Sequence, residues 1–166
     1  MNPRATIALY PGTFDPVTNG HLDIVERCGR IFDRLITAVA THPAKDPLFD
    51  VAERVAMLAD AVRAFPAVEV DSYEGLTVDY ARRRGAHIIV RGLRAVSDFE
   101  EEFKMASANR KLAAEIDTIL LVPSDKYYFL NSGLVKEIAR LGGPVGCFVP
   151  PLVEEKLRAK FAATGY

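Results

Sequence analysis

Residues 6–32 read TIALYPGTFDPVTNGHLDIVERCGRIF: a short apolar run, a loop of turn-forming residues and a segment of helical period. The apolar run, Thr6–Tyr10, predicts a buried strand, and the segment that starts at His21 predicts a helix. The connection between them holds Pro-Gly, Asp-Pro and Asn-Gly pairs and is longer than a plain strand–helix connection needs. We therefore interpret it as a binding loop.

Short apolar runs alternate with longer segments of helical period along the rest of the chain. Four further runs are predicted strands: Arg34–Thr41, Ala67–Ser72, His87–Arg91 and Thr118–Pro123. They are apolar nearly throughout, as is typical of parallel strands covered on both faces. The alternation predicts an α/β fold: one domain over residues 1–166, with a Rossmann-like, doubly wound parallel sheet and helices on both of its faces.

Helix starts have recognisable signals in several places. Four of them are predicted, the first two from capping-box patterns: Asp50 with Glu53, Ser97 with Glu100, Ser132, and Pro150-Pro151. The helix that Ser97 begins is expected to run to about Ala114.

The composition is that of an ordinary globular protein with balanced charge. The 166 residues include 21 Lys and Arg against 22 Asp and Glu, a net charge of −1 that argues against a dedicated nucleic-acid-binding protein. Cys28 and Cys147 have neither disulfide nor metal-ligand spacing and are predicted to be buried free thiols. No secretory signal pattern and no bilayer-spanning apolar run is found, so we expect a cytoplasmic location without membrane contact.

Unusual residues follow each predicted strand, and ligands of doubly wound sheets bind beyond the carboxyl ends of the strands. In the first loop, Gly12 permits close backbone approach, and Asn19-Gly20 precedes a helix whose free N–H groups favour an anion. His21 lies in the first turn of that helix. It is interpreted as a phosphate-binding residue, with a capping or core role as the structural alternative.

Basic and small polar residues mark the ends of other strands. Arg91 ends a strictly apolar strand and Arg94 follows it; their guanidinium groups suit phosphate, with structural salt bridging as the alternative. Lys45 lies in a loop between two prolines. It is a candidate phosphate-binding residue, with a solvated loop lysine as the alternative. Near the fifth strand, the stretch SDKYYFLNSG again places small polar residues before a helix start.

The sequence lacks the signs of covalent catalysis. It has no G-x-S-x-G elbow, no Walker A loop and no cluster with metal-ligand spacing. One His, one Lys, two Arg and several helix N-termini suit direct transfer at phosphorus, where positioning and charge stabilisation supply most of the catalysis. We expect Mg²⁺ to arrive on the phosphates of a nucleotide.

Three segments resemble a known family. Thr18-Asn19-Gly20-His21 fits the H/T-x-G-H motif of a nucleotidyltransferase superfamily, and IIVRGLRAVSDFEEE and SGLVKE are similar to bacterial phosphopantetheine adenylyltransferases. The similarity runs from about Ala5 to the last helix. It implies adenylyl transfer from ATP to 4′-phosphopantetheine, giving dephospho-CoA and pyrophosphate. It also implies Mg²⁺ as cofactor, a homohexamer, and coenzyme A as a feedback inhibitor.

The resemblance implies roles for individual residues. Catalytic roles fall on Thr13, His21, Lys45 and Arg94, and acceptor binding falls on Thr13, Lys45, Thr77 and Arg91. The implied ATP-binding residues are Thr13, Phe14, His21, Gly92, Leu93, Arg94, Glu102, Tyr127, Tyr128, Phe129, Leu130, Asn131, Ser132 and Gly133. Asn131 and Gly133 stand where the family commonly has serines, and Thr77 stands where it commonly has a larger apolar residue.

Two other functions are compatible with the first loop. A sister enzyme would transfer AMP to nicotinamide mononucleotide, or CMP to an alcohol phosphate; the RGLR segment argues against it. A catalytically idle nucleotide sensor is the second, and the joint presence of His21, Lys45, Arg91 and Arg94 argues against that.

Overall fold

The computed structural model describes residues 5–41 and 46–162 and contains one parallel sheet of five strands. The strands are β1 (Ile7–Gly12), β2 (Arg34–Thr41), β3 (Val68–Glu74), β4 (Ile88–Gly92) and β5 (Asp117–Leu121). Their spatial order is β3-β2-β1-β4-β5, and every neighbouring pair is parallel. The predicted Rossmann-like α/β fold is therefore confirmed.

Within the described residues, six α-helices and one short 3-10 helix connect and follow these strands. They are α1 (Asn19–Cys28), α2 (Val51–Ala61), α3 (Thr77–Arg84), α4 (Val96–Leu112), the 3-10 turn Asp125–Tyr127, α5 (Ser132–Arg140) and α6 (Pro151–Ala162).

The sheet separates two hydrophobic layers. Because successive side chains of a strand point to opposite faces, Ala8 and Tyr10 enter one layer while Leu9 enters the other. The first layer contains buried residues of α1, α2, α5 and α6, and the second contains residues of α3 and the end of α4. The strands are thus covered on both sides, which explains why their sequences are apolar nearly throughout.

The strand order reverses at β1, which pairs with β2 on one side and with β4 on the other. The connections β1–β2 and β2–β3 run along one face through α1 and α2, whereas α3 carries the chain back across the sheet to β4. At such a switch point the loops after the two central strands diverge and leave a crevice. The carboxyl ends of β1 and β4 therefore border the place where a ligand is expected.

The predicted helix starts have different outcomes. The Asp50 capping box is confirmed, because the Asp50 carboxylate accepts the Glu53 N–H at 2.8 Å and Glu53 accepts the Asp50 N–H at 3.0 Å. The prediction that Ser97 caps α4 is wrong: Ala95 is the N-cap residue, and Ser97 lies inside the helix. Asp98 is the reason, since its carboxylate accepts the Arg94 N–H and supports an earlier start.

The cysteine prediction is correct in one respect and wrong in another. Both cysteines are free, and Cys28 is buried in the first layer. Cys147 is exposed, because its apolar run forms turns in which Val145 and Val149 are buried and Phe148 packs against the core, while Cys147 does not. Among the described residues, no helix is both long and apolar enough to cross a membrane.

Gly85 ends α3 in the left-handed region with φ 69°, and a Cβ added there would meet no atom within 4 Å. Gly85→Ala should therefore lower the free energy of unfolding by about 1 kcal/mol through backbone strain alone. Gly29→Ala is the matched control, because Gly29 ends α1 at φ −63° and its added Cβ would make only ordinary contacts. Urea denaturation of both variants measures the difference, and equal losses would contradict the assignment.

Candidate active site

A cavity of about 500 Å³ lies at the switch point, beyond the carboxyl ends of β1 and β4. Its wall contains these residues that the sequence singles out: Thr13, Phe14, His21, Thr77, Arg91, Gly92, Arg94, Glu102, Tyr127, Leu130, Asn131 and Ser132. The cavity wall does not include Leu93, Tyr128, Phe129 or Gly133. Lys45 falls outside the described residues.

In the loop after β1, the residue with a positive φ is Phe14 rather than a glycine. Phe14 has φ 47°, and its buried ring packs edge-on against Tyr10 and His21 at centroid distances of 5.5 and 5.0 Å. A Cβ on Gly12 would come within 2.9 Å of that ring. Gly12 is therefore needed to admit the Phe14 ring, a protein contact that the sequence interpretation of Gly12 did not anticipate.

The same loop is fastened to two other segments by Asp15, which is only 5% exposed. Its carboxylate accepts the backbone N–H groups of Leu48 and Phe49, both at 3.0 Å, and pairs with Lys136 Nζ at 2.6 Å. The buried guanidinium of Arg54 adds a bond to the Thr13 carbonyl at 2.8 Å. Sequence reasoning missed this network, because Asp-Pro is also a common turn signal.

His21 has the capping role that the sequence left as an alternative, and it also lines the cavity. It is the third residue of α1, and its Nδ1 accepts the Thr18 N–H at 3.0 Å, while the His21 N–H donates to Thr18 Oγ1 at 3.4 Å. This is a capping box in which histidine takes the place usually held by Glu or Gln. The ring also lines the cavity. Capping and exposure to a ligand thus involve different parts of the same side chain.

The capping bond also determines where the imidazole carries its proton. Because a backbone N–H can only donate, Nδ1 must be unprotonated, and the proton of the neutral ring is on Nε2. Burial, together with the positive charges of Arg94 and Arg91, lowers the pKa of His21 to about 4. At neutral pH His21 is an uncharged N–H donor.

Two arginines at the end of β4 line the cavity, and each is bound to a carboxylate of α4. Arg91 donates from Nε and Nη2 to the two carboxylate oxygens of Glu102 at 2.8 and 2.7 Å, and from Nη1 to the Pro11 carbonyl at 2.7 Å. Arg94 Nε donates to Asp98 at 3.0 Å. The salt bridging that the sequence left as an alternative is therefore present within the cavity wall.

The electrostatics of Arg91 follow from these contacts. Burial tends to lower the pKa of Arg91, but the hydrogen bonds and negative charge of Glu102 outweigh burial and raise it above the ordinary value. The pairing with Glu102 therefore favours the charged form of Arg91.

The N-termini of two helices border the cavity. Gly20 and His21 belong to the first turn of α1, and Ser132 is the first residue of α5. A Cβ on Gly20 would make only ordinary contacts with the protein, at 3.5 Å or more, so the missing side chain leaves space for a ligand. Unpaired N–H groups and the positive ends of helix dipoles favour an anion in that space.

Asn131 and Gly133, which depart from the family pattern, are explained by the start of α5. Asn131 is the N-cap residue, and its Oδ1 accepts the Leu134 N–H at 2.8 Å. A Cβ on Gly133 would come within 3.1 Å of that oxygen, so glycine leaves room for the capping side chain. Ser132 Oγ donates to the Pro16 carbonyl at 2.8 Å, which joins α5 to the loop after β1.

The cavity wall also contains residues that sequence reasoning did not identify. Among them are Tyr10, Tyr73, Met105, Ala106, Asn109 and Thr118. Tyr73 OH lies 2.8 Å from the hydroxyl of Thr77, the first residue of α3. Asn109 is a buried polar residue of α4, and the buried Thr118 hydroxyl has no hydrogen-bond partner among the described residues. The asparagine late in the α4 segment, Asn109, was the one signal in the sequence that could have pointed to this part of the wall.

Comparison with known proteins agrees with this geometry. A family model described as cytidylyltransferase-like matches residues 9–138. A phosphopantetheine adenylyltransferase from Carboxydothermus hydrogenoformans is 52% identical over 159 residues, covering 96% of this chain and 98% of the relative. One from Gloeobacter violaceus is 56% identical over 156 residues, covering 94% and 97%. The chain belongs to the phosphopantetheine adenylyltransferase family. The resemblance found in the sequence is thereby confirmed.

Solved structures extend the comparison to distant members of the fold. A nicotinic acid mononucleotide adenylyltransferase from Plasmodium falciparum, in complex with NaAD, superposes with a TM-score of 0.70 at 12% identity, covering 94% of this chain and 96% of that one. A Vibrio parahaemolyticus structure, described as a candidate nicotinate-nucleotide adenylyltransferase, gives 0.72 at 15% identity and covers 98% of both chains. At such identities the likeness is one of fold alone.

The state of His21 can be measured directly. With a pKa of about 4, the ring should stay neutral between pH 5 and pH 8 and should take up a proton only as the pH falls towards 4. Long-range ¹H–¹⁵N NMR spectra should show the Nε2–H tautomer over this range, with the signal assigned from its loss in His21→Gln. A resonance that titrates near 6.5, or an Nδ1–H tautomer, would contradict the capping geometry.

Proposed function

We propose that the protein transfers the adenylyl group of ATP to 4′-phosphopantetheine, giving dephospho-CoA and pyrophosphate in coenzyme A biosynthesis. The observation that carries the proposal is the convergence of two helix N-termini, a neutral His21 donor, Arg91 and Arg94 on one cavity. Full-length similarity to phosphopantetheine adenylyltransferases supports the choice of substrates.

The two substrates are assigned to neighbouring parts of the cavity. Arg91, Thr77 and Lys45 bind the acceptor, with the phosphate held by Arg91 and Lys45. ATP is bound by the α1 side and by the segment before α5, through Phe14, His21, Gly92, Leu93, Arg94, and the residues from Tyr127 to Gly133. Thr13 contacts both substrates. The contact of Arg94 with the Leu130 carbonyl at 3.2 Å supports a common nucleotide side.

The reaction proceeds by direct in-line displacement. A phosphate oxygen of phosphopantetheine attacks the α-phosphorus of ATP, and the bond from that phosphorus to the bridging oxygen breaks, so that pyrophosphate leaves with the bonding electrons. His21 donates its Nε2–H to an α-phosphate oxygen as negative charge shifts in the transition state. Because Nδ1 is fixed by Thr18, the donor keeps its direction through the reaction. Thr13, Lys45 and Arg94 add hydrogen bonds and positive charge.

Mg²⁺ is assigned to the phosphates of ATP rather than to a protein cage. Within the described ranges, no three His, Cys, Asp or Glu side chains are grouped as metal ligands. Mg²⁺ in nucleotide sites commonly keeps several waters and binds substrate phosphates. When bound, it neutralises the charge of the departing pyrophosphate.

The reaction and the role of His21 are tested together by pyrophosphate release from ATP and Mg²⁺, with and without phosphopantetheine. Release should require phosphopantetheine, and His21→Ala should lower kcat on the order of 10²–10³-fold, the scale for one transition-state donor. His87→Ala is the control, because His87 is exposed and lies outside the cavity wall.

Each failure of this assay has a distinct meaning. Release with nicotinamide mononucleotide, or CMP transfer from CTP to an alcohol phosphate, would move the protein to a sister activity. ATP binding without release for any acceptor would leave a nucleotide sensor. An unchanged kcat with weaker ATP binding in His21→Ala would remove His21 from the transition state.

Three broader assignments accompany the reaction. Residues 1–166 form one nucleotidyltransferase domain, a proposal supported by the single sheet. The protein acts in the cytoplasm, and the free thiols of Cys28 and Cys147 suit a reducing compartment. Coenzyme A is a feedback inhibitor, because it carries both a pantetheine and an adenylyl portion and therefore competes for the same cavity. No nucleic acid or membrane takes part.

The assembly is a homohexamer. Its support is a surface with exposed apolar side chains on α4 and at the end of β5: Phe99, Phe103, Leu112, Ile119 and Val122. Phe99 and Phe103 stack at 5.8 Å on this surface. Exposed large apolar side chains that contact each other are typical of a protein–protein interface.

Multi-angle light scattering tests the assembly. The wild type should have a mass of about six times the 18.3 kDa chain, and Phe103→Glu should reduce it. Leu141→Glu is the control: Leu141 is 81% exposed against 58% for Phe103, but it lies at the end of α5, away from this surface. A monomeric wild type, or equal effects of the two variants, would refute the proposal.

A further inference from the structure

Helix α4 carries two carboxylates that pair with arginines of the cavity wall. Asp98 and Glu102 are four residues apart, so they lie on the same face of the helix, one turn from each other. Each carboxylate binds a different arginine at the end of β4: Asp98 binds Arg94 and Glu102 binds Arg91. The two acids of α4 therefore pair one-to-one with the two arginines of RGLR.

The Glu102–Arg91 pair leaves part of the guanidinium available. A guanidinium has five N–H groups, and Arg91 uses three of them, two on Glu102 and one on Pro11. One N–H remains on each of Nη1 and Nη2. Two N–H groups on neighbouring nitrogens are the arrangement that binds a phosphate with paired hydrogen bonds. The pairing thus holds Arg91 in place without consuming its capacity to bind an anion.

Glu102 itself has little capacity left for a ligand. Both of its oxygens accept from Arg91 at 2.7–2.8 Å, and its side chain is 14% exposed. Arg94 is held in a more open arrangement, through Nε to Asp98 and Nη1 to the Leu130 carbonyl, with its side chain 38% exposed. Each arginine is thus held by one carboxylate of α4 and one main-chain carbonyl.

We propose that Glu102 and Asp98 are a matched pair of positioning residues, in which Glu102 orients Arg91 towards the acceptor phosphate and Asp98 orients Arg94 towards ATP. This inference rests on the proposed function, because it uses the assignment of Arg91 and Arg94 to different substrates. It gives Glu102 a role on the acceptor side, although the resemblance placed it on the ATP side.

These two carboxylates contribute to phosphate binding by orienting the guanidinium groups rather than by their own charge. A carboxylate beside a phosphate site repels the ligand, so an acid that only adjusted charge would weaken binding. A free arginine side chain, in contrast, loses rotamer freedom when it binds a phosphate, and a side chain that is already held loses less. The two-point contact of Glu102 is the arrangement that fixes a guanidinium plane.

Steady-state kinetics of Glu102→Gln and Asp98→Asn test the proposal, because both changes keep size and remove the charge. Glu102→Gln should raise KM for phosphopantetheine about tenfold, the scale for a hydrogen bond to a charged group, and leave KM for ATP unchanged. Asp98→Asn should raise KM for ATP about tenfold and leave KM for phosphopantetheine unchanged. Each variant is thus the control for the other, and calorimetric titration with phosphopantetheine alone measures the acceptor effect without turnover.

A double-mutant cycle adds a second test. Arg91→Lys removes the fork that Glu102 binds, so Glu102→Gln should have little further effect on acceptor affinity in that background. Additive effects of the two changes would overturn the proposal. Thermal melting of every variant checks that the fold is retained.

Other outcomes would also overturn it. A rise confined to KM for ATP in Glu102→Gln would make Glu102 a nucleotide contact. Unchanged constants would reduce the pair to a structural role, and tighter acceptor binding would show that repulsion dominates. Failure of the proposed function is a separate result, since it appears in the wild type as an absence of phosphopantetheine-dependent pyrophosphate release.

Discussion

The contacts of the Asp15 carboxylate are the constraint on which the site depends. Asp15 is almost fully buried, and it joins three segments that are far apart in sequence: its own loop, the backbone at Leu48 and Phe49, and Lys136 of α5. A buried carboxylate is stable only when charge and hydrogen bonds compensate its desolvation, so these partners must assemble together. The loop that carries Thr13 and leads to His21 is placed by this requirement.

His21 links folding to chemistry in a similar way. Its Nδ1 completes the N-terminus of α1, so the imidazole is fixed by the same bond that starts the helix. Burial and two nearby arginines keep the ring neutral. A histidine whose Nδ1 accepts a capping hydrogen bond needs no additional group to hold its tautomer, in contrast to histidines that depend on a carboxylate for this purpose.

The sequence was sufficient for the sheet, because five apolar runs separated by helical segments permit few arrangements other than a doubly wound one. It also predicted that ligand-binding residues gather at the strand ends, and most of those residues line one cavity. Predictions from the sequence failed where a local pattern competes with a contact made by another residue. Ser97 has a capping-box pattern, yet Asp98 binds the Arg94 N–H and α4 starts earlier. The partners of Asp15 and the wall contributed by Asn109 depend on tertiary contacts, which no local pattern contains.

The two sides of helix α4 have different surroundings. Asp98 and Glu102 face the arginines of the cavity, whereas Phe99 and Phe103 face outward. A helix moves largely as a rigid rod, so a partner that covers the phenylalanines and shifts the helix also shifts both carboxylates. In the proposed homohexamer, neighbouring subunits would then affect each other's substrate sites through α4, and cooperativity would need no dedicated effector pocket.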